Sequence, residues 1–132
     1  MGAAENKKLI QGLFDGVSNG NPEAFLSKLA DDVQITIIGT TKYSGTYNGK
    51  QEVVEKLLAP LGTQLEDGIV ITPSNFIADG DTVAMEATGK STTKDGKSYD
   101  NTYCQVFQVA DGKVQRMTEY LDTELVTTAF GK

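Results

Sequence analysis

Three evenly spaced Asp-Gly pairs, Asp79-Gly80, Asp95-Gly96 and Asp111-Gly112, constrain this chain more than any other feature. An Asp-Gly pair between alternating apolar residues is a hairpin signal, because the tight turn needs positive φ, which glycine adopts without steric cost. The three glycines stand 16 residues apart each time. That interval leaves room for strands of about six to ten residues in an antiparallel meander. The side chains between them do not repeat, so the spacing is that of hairpins and not of a solenoid.

Ahead of the meander the periodicity is helical. Leu9, Ile10, Leu13, Phe14 and Val17 form one apolar stripe over residues 5–18, the signature of an amphipathic helix. Asn19-Gly20 stops it. Asn21 as N-cap and Pro22 at the first helical position predict a second helix carrying Phe25, Leu26 and Leu29, ending near Ala30-Asp31-Asp32. Val33, Ile35 and Ile37 then alternate with Gln34 and Thr36, which predicts a first strand. Residues 40–49 read as a polar loop. A third helix follows, with Val53, Val54, Leu57 and Leu58 on one side and Pro60 and Gly62 closing it. Helices followed by a run of strands make an α+β order, with the helices on one face of the sheet to bury their stripes. At 132 residues the chain is expected to be one domain, residues 1–132.

Composition removes whole classes of function. There is no histidine, so a Ser-His-Asp triad, a Cys-His pair and every histidine metal site are excluded. The net charge of −6, with acidic and basic residues interspersed, offers no basic footprint for nucleic acid and disfavours anionic membranes. No apolar run approaches the roughly 20 residues that span a bilayer. The N-terminus lacks the charged-then-apolar pattern of a signal peptide. Met1-Gly2 is followed at position six by Asn6, not the Ser or Thr of a myristoylation signal. The single Cys104 cannot form an internal disulfide, so a reducing cytoplasm is expected. Phosphate-binding glycine loops and calcium-loop spacings are absent, and no cofactor or metal is expected.

Chemistry concentrates in the last quarter of the chain. On a strand, Asn101, Tyr103, Gln105, Phe107 and Val109 share one face, and on the next Gln115, Met117, Glu119 and Leu121 do. If these faces coincide, they form a mixed wall holding one carboxylate, a pattern suited to a half-dry small-molecule pocket. Burial among Met117 and Leu121 would raise the carboxyl pKa of Glu119 and make it an acid or base near neutral pH. The competing reading is an ion pair with Arg116, Lys113 or Lys90. In the strand before, alternation makes Val83, Met85 and Ala87 the core face and turns Glu86 to solvent. Cys104 points away from Tyr103 and Gln105, as a packed small hydrophobe. Tyr43, Tyr47, Tyr99 and Tyr120 read as loop or surface packing.

The tract YDNTYCQVFQVADGK from Tyr99 to Lys113, with EYLDTELV from Glu119 to Val126, resembles the SnoaL-like branch of the nuclear-transport-factor-2-like superfamily. Ketosteroid isomerase, limonene-epoxide hydrolase and small polyketide cyclases belong to the same superfamily. The resemblance runs from the first helix through Val126. It implies three N-terminal helices packed on a strongly curved antiparallel sheet, a cone with an internal pocket, a homodimer, and an apolar or cyclic small-molecule ligand. It also places Glu86 in the pocket and matches Glu119 to one of the two catalytic aspartates of the epoxide hydrolase.

Other positions depart from the known chemistries. The base of ketosteroid isomerase falls on Ile37, its oxyanion tyrosine on Leu13 and its second oxyanion acid on Gln105. In the hydrolase pattern, the arginine falls on Glu86, one aspartate on Thr88, and the water-holding Tyr and Asn on Ile35 and Ile37. Neither reaction is therefore expected as such. The expected function is cofactor-free acid-base chemistry, of isomerase, cyclase or hydrolase type, on a cyclic or carbonyl-containing small molecule. Glu119 would act as acid/base with Glu86 as its coupled partner, and Tyr103 as the oxyanion donor. Asn101 and Gln105 would orient the ligand, against a wall of Leu13, Phe14, Val17, Ile35, Ile37, Thr88, Phe107, Met117 and Leu121. The alternatives are a non-catalytic binding module in the same pocket, or a structural homodimer built on the face of Thr102, Cys104, Val106 and Gln108.

Overall fold

In a computed structural model that describes residues 2–18 and 22–132, and the side chains of all of these except 16–18 and 22, the N-terminal stripe forms α1 (Ala3–Ser18). The stop at Asn19-Gly20 and the Asn21 cap lie outside the described residues, as does the side chain of Val17. Ile10, Leu13 and Phe14 of α1 are buried, as its period requires. Helix α2 (Pro22–Ser27) packs on α1, with the Phe25 ring edge-on to Phe14 at 6.3 Å. It is shorter than its sequence period suggests, because Leu29 already belongs to β1 (Leu29–Ile37) and is buried there.

The stretch read as a polar loop contains a strand, β2 (Gly45–Asn48), which pairs antiparallel with β1 from Gln34↔Asn48 to Ile37↔Gly45. A helical segment follows as α3 (Lys50–Glu52), a π-helical stretch Val53–Leu58, and α4 (Ala59–Gln64). Pro60 does not close this segment. It sits in the first turn of α4, directly after the π-helical stretch, and the chain stays helical past it to Gln64. The wide turn just ahead shows in the Ala59 N–H, which donates to Val54 O.

The meander supplies β3 (Val70–Asp79), β4 (Thr82–Lys90), β5 (Thr102–Ala110) and β6 (Lys113–Leu121). Together the strands form one curved, unclosed six-stranded sheet in the order β2-β1-β6-β5-β4-β3. Helix α1 lies across β3 and β4. All three of the evenly spaced Asp-Gly pairs are turns. Asp111 (φ 53°) and Gly112 (φ 71°) both take left-handed backbone, the geometry of a two-residue hairpin that follows strand twist. The middle pair lies in the long β4–β5 connection, where Thr93 N–H donates to Lys97 O at 2.8 Å.

The sheet is antiparallel at every junction except one. β1 runs parallel to β6, with Ile35↔Met117 and Ile37↔Glu119. A parallel pair needs a long crossover, and everything between β1 and β6 provides it. Bulges in β6 and β3 also shift strand parity. Gln115 is an extra residue in β6, between the pairs Val109↔Val114 and Gln108↔Arg116. Both Val114 and Met117 therefore face the core, and Gln115 turns away to donate to Ala110 O at 3.1 Å. Its expected place on the face of Met117 and Glu119 is corrected by that bulge. Ser74 plays the same part in β3, an edge strand in which Pro73 costs no ladder partner.

The chain closes with α5 (Thr123–Phe130), capped by Asp122, whose side chain accepts from Leu125 N–H. Phe130 meets Tyr99 at 4.7 Å and Tyr43 at 5.3 Å, edge to face. Tyr43 and Tyr99 are thus buried core residues, whereas only Tyr120 of the four tyrosines read as loop or surface packing is exposed. Among the described residues no helix is long and apolar enough to cross a membrane.

Candidate functional site

Helices and the concave face of the sheet enclose a cavity of about 330 Å³, at the small end of the usual range for ligand pockets. Every layer contributes to its wall. Phe14 comes from α1, Phe25 from α2, Ile35 and Ile37 from β1, and Ile71 from β3. Val53, Leu57, Leu58 and Leu61 come from the helical segment above. The polar side chains among its described lining residues are Tyr103 and Gln105 from β5 and Glu119 from β6.

These three are adjacent because of the strand register. Gln105 pairs with Glu119 and Tyr103 with Leu121 across β5–β6, and Gln105 Nε2 donates to Glu119 Oε1 at 3.0 Å. Glu119 is part-exposed by area, since the cavity opens to solvent, yet its carboxyl is enclosed by protein atoms. Burial raises its pKa from the ordinary 4.5 to about 6, and the Gln105 hydrogen bond holds the rise back. Ion pairs among the described residues are surface contacts such as Lys56–Glu52, and none of them involves Glu119. Arg116, Lys113 and Lys90 leave it alone.

Tyr103 is buried, and burial raises its hydroxyl pKa, with the Tyr99 hydroxyl and the Glu119 charge adding to the effect. It therefore stays a neutral hydroxyl throughout the working range. Its ring crosses the backbone of β4 at Gly89, where an added Cβ would lie 2.7 Å from Tyr103 Cε2. No larger residue fits there without moving the ring. A smaller cavity of about 50 Å³, lined by Tyr43, Tyr99, Tyr103, Glu119, Leu121 and others, runs from the site toward α5.

The structure brings together Glu119, Tyr103, Gln105, Phe14, Ile35, Ile37 and Met117, with Leu121 at the smaller cavity. It separates the rest. Glu86 is a correction: it is exposed on the convex face, pairs with Cys104 in the register, and accepts from Asn75 Nδ2 at 3.0 Å. Plain alternation decides this, since Val83, Met85 and Ala87 are buried in the core. Thr88, two residues on, is exposed on the same convex side. Leu13 and Phe107 are buried but sit behind the cavity wall, with Phe107 edge-on to Phe14 at 5.9 Å. Asn101 is also buried, but it does not line the main cavity. Its amide donates to the Tyr99 hydroxyl (3.1 Å) and Asp122 O (3.2 Å), and its Oδ1 accepts from Thr102 N–H (2.7 Å) and Asp122 N–H (3.1 Å). Sequence reasoning missed the roof of Val53, Leu57, Leu58, Leu61 and Leu65, although the helical stripe was its signal.

The family model of the SnoaL-like domain matches residues 10–117. The chain belongs to the SnoaL-like family. Solved structures agree on the fold of this SnoaL-like domain. A nuclear-transport-factor-2-like protein of unknown function from Burkholderia pseudomallei superposes with a TM-score of 0.84 at 19% identity, covering 96% of this chain and 98% of that one. One from Burkholderia thailandensis gives 0.84 at 23% identity, covering 94% and 95%. TerC, crystallised with polyporic acid, gives 0.82 at 25% identity, covering 96% and 98%. No curated protein matches the sequence.

In this SnoaL-like domain the buried carboxyl has a measurable consequence. The folded state holds the Glu119 proton more tightly than the unfolded chain does. The stability it contributes is fully present below pH 4.5 and is lost as pH rises through about 6. The loss is about 2 kcal/mol, at about 1.4 kcal/mol per pH unit of displacement. Glu119→Gln, which never ionises, is expected to match the parent at pH 4 and exceed it by about 2 kcal/mol at pH 8. Urea denaturation at the two pH values checks this.

Proposed function

We infer that the domain is a small acid-base enzyme acting on an apolar, cyclic or carbonyl-containing molecule, with Glu119 as the proton carrier. One observation carries the reading: a single carboxyl, held at a pKa of about 6 by burial, faces a mostly apolar cavity. Such a group is an effective acid or base at neutral pH. The chemistry that fits is proton transfer next to a carbonyl. Ionised Glu119 takes a proton from the carbon next to the carbonyl; the C–H pair becomes a new C=C bond as the C=O π pair moves onto the oxygen. In a β,γ-unsaturated ketone the resulting dienolate takes the proton back from neutral Glu119 at its γ carbon, which makes the net reaction an isomerisation. Tyr103, a neutral hydroxyl at the same wall, supplies the hydrogen bond for the enolate oxygen. Glu86 has no part in it. Only side chains move the proton, so the reading needs no cofactor.

The test is a panel of cyclic ketones and enones followed by thermal shift and by product analysis. Saturable binding with product formation is the expected result. Binding without product would favour a receptor that uses the same cavity. No binding by any member would contradict both readings.

The convex sheet face, with Val70, Ile77 and Tyr120 exposed and Cys104 and Val106 half-buried, suits a homodimer that leaves the cavity free. Sedimentation at micromolar concentration checks that, a monomer being the contrary result. The lone Cys104 suits a reducing cytoplasm.

A further inference from the structure

The Gln105 amide has one atom too many for its surroundings. Gln105 is 6% exposed, and its Nε2 is taken by Glu119. Its Oε1 is buried with no hydrogen-bond partner among the described residues. Buried polar atoms are almost always paired, and an orphan calls for an explanation. The orientation of the amide is fixed by its neighbour, because an ionised carboxylate only accepts hydrogen bonds. Nε2 must then face Glu119, and Oε1 is the atom left over. Ile35, Ile37 and Met117, lining residues of the sheet nearby, bring no donor, and the Tyr103 hydroxyl on the same face does not pair with Oε1.

We propose that the ligand of this cavity is an apolar ring-type molecule carrying one N–H or O–H donor on its edge, and that Gln105 Oε1 accepts that donor. The inference rests on the cavity being the ligand site and narrows its ligand class. It also assigns specificity to a residue that does not move the proton. The donor sits beside the reacting carbon, because Gln105 and Glu119 are paired across β5–β6. A hydroxylated or enolised carbonyl compound has both features, whereas a plain hydrocarbon or simple ketone lacks the donor. Molecules without it leave Oε1 unpaired in a drier cavity, which makes the site discriminate against them.

The test uses three probes of nearly one shape: indole, which has an N–H donor, benzothiophene, which has none, and 1-methylindole, in which the donor is capped. Calorimetry at pH 8, with Glu119 ionised, is expected to show indole binding at least tenfold tighter than either of the others. In Gln105→Leu the preference is expected to fall below threefold, with benzothiophene bound at least as well as by the parent. Should that variant fail to fold, Gln105→Met carries the same expectation, and the parent comparison stands without either. Equal binding of all three by the parent overturns the proposal while leaving the cavity as a ligand site. A preference that survives the loss of Gln105 overturns the assignment to Oε1. If none of the three binds, the cavity reading fails along with the proposal.

Discussion

Glu119→Gln is expected to lower turnover of a true substrate by about 10²–10⁴-fold, the usual contribution of a positioned acid or base, while the substrate still binds. The amide keeps the length and shape of the carboxyl and can still accept from Gln105 Nε2, so the wall is preserved and only the exchangeable proton is lost. The pH profile supplies a second readout. A base with a pKa of about 6 should make kcat/KM rise through that pH and level off above it, and the variant should lose that inflection. Single-turnover kinetics on any compound that both binds and reacts make the measurement. Full activity in the variant would move the acid-base role away from Glu119.

A second large effect falls on Asn101, and it is one of stability. Leucine at this position has nearly the right volume but strands four partners at once: the Tyr99 hydroxyl, both backbone groups of Asp122, and the Thr102 N–H. Each unsatisfied group costs about 1–3 kcal/mol when fully buried. Because Asp122 is exposed, water recovers part of that, and a net loss of about 2–4 kcal/mol is expected for Asn101→Leu. The urea midpoint should fall with the slope unchanged. Asn101 ties the start of β5 to the cap of α5, so ligand affinity per folded molecule should change little. A stable variant with weakened binding would restore Asn101 to the role of ligand-orienting residue that its strand face suggests.

Asn101 illustrates what strand alternation can convey. Parity correctly puts Asn101, Tyr103, Gln105 and Phe107 on one buried face, but parity does not distinguish a cavity wall from packed core. That depends on how far the helical roof stands off the sheet, which is a tertiary distance with no local signal. Glu86 teaches the converse. Alternation among Val83, Met85 and Ala87 turned it outward, and the structure agrees. Only the position-by-position carry-over from a distant hydrolase turned it inward.

Bulges and crossovers were the other hidden features. The extra residue at Gln115 flips the parity of β6 at its start, and nothing in KVQRM announces it, since Val and Met read as core in either register. β2 was invisible for a different reason: GTYN is four residues of an edge strand, with few apolar positions to show a period. The parallel pairing of β1 with β6 joins strands far apart in sequence, so no local window records it. By contrast, the three Asp-Gly turns were fully legible, because the backbone they need is one that few residue types adopt.

The carboxyl of Glu119 is the centre of this account, and its pKa is the most direct measurement. Carbon-detected NMR titration, with Glu119→Gln to assign the resonance, should give a value of about 6. Such a value means a carboxyl desolvated by an apolar cavity and able to trade protons near neutrality. A value at or below the ~4.3 of an unperturbed glutamate would mean a solvated or ion-paired side chain. That result would contradict the acid-base role and leave the cavity as a binding site alone.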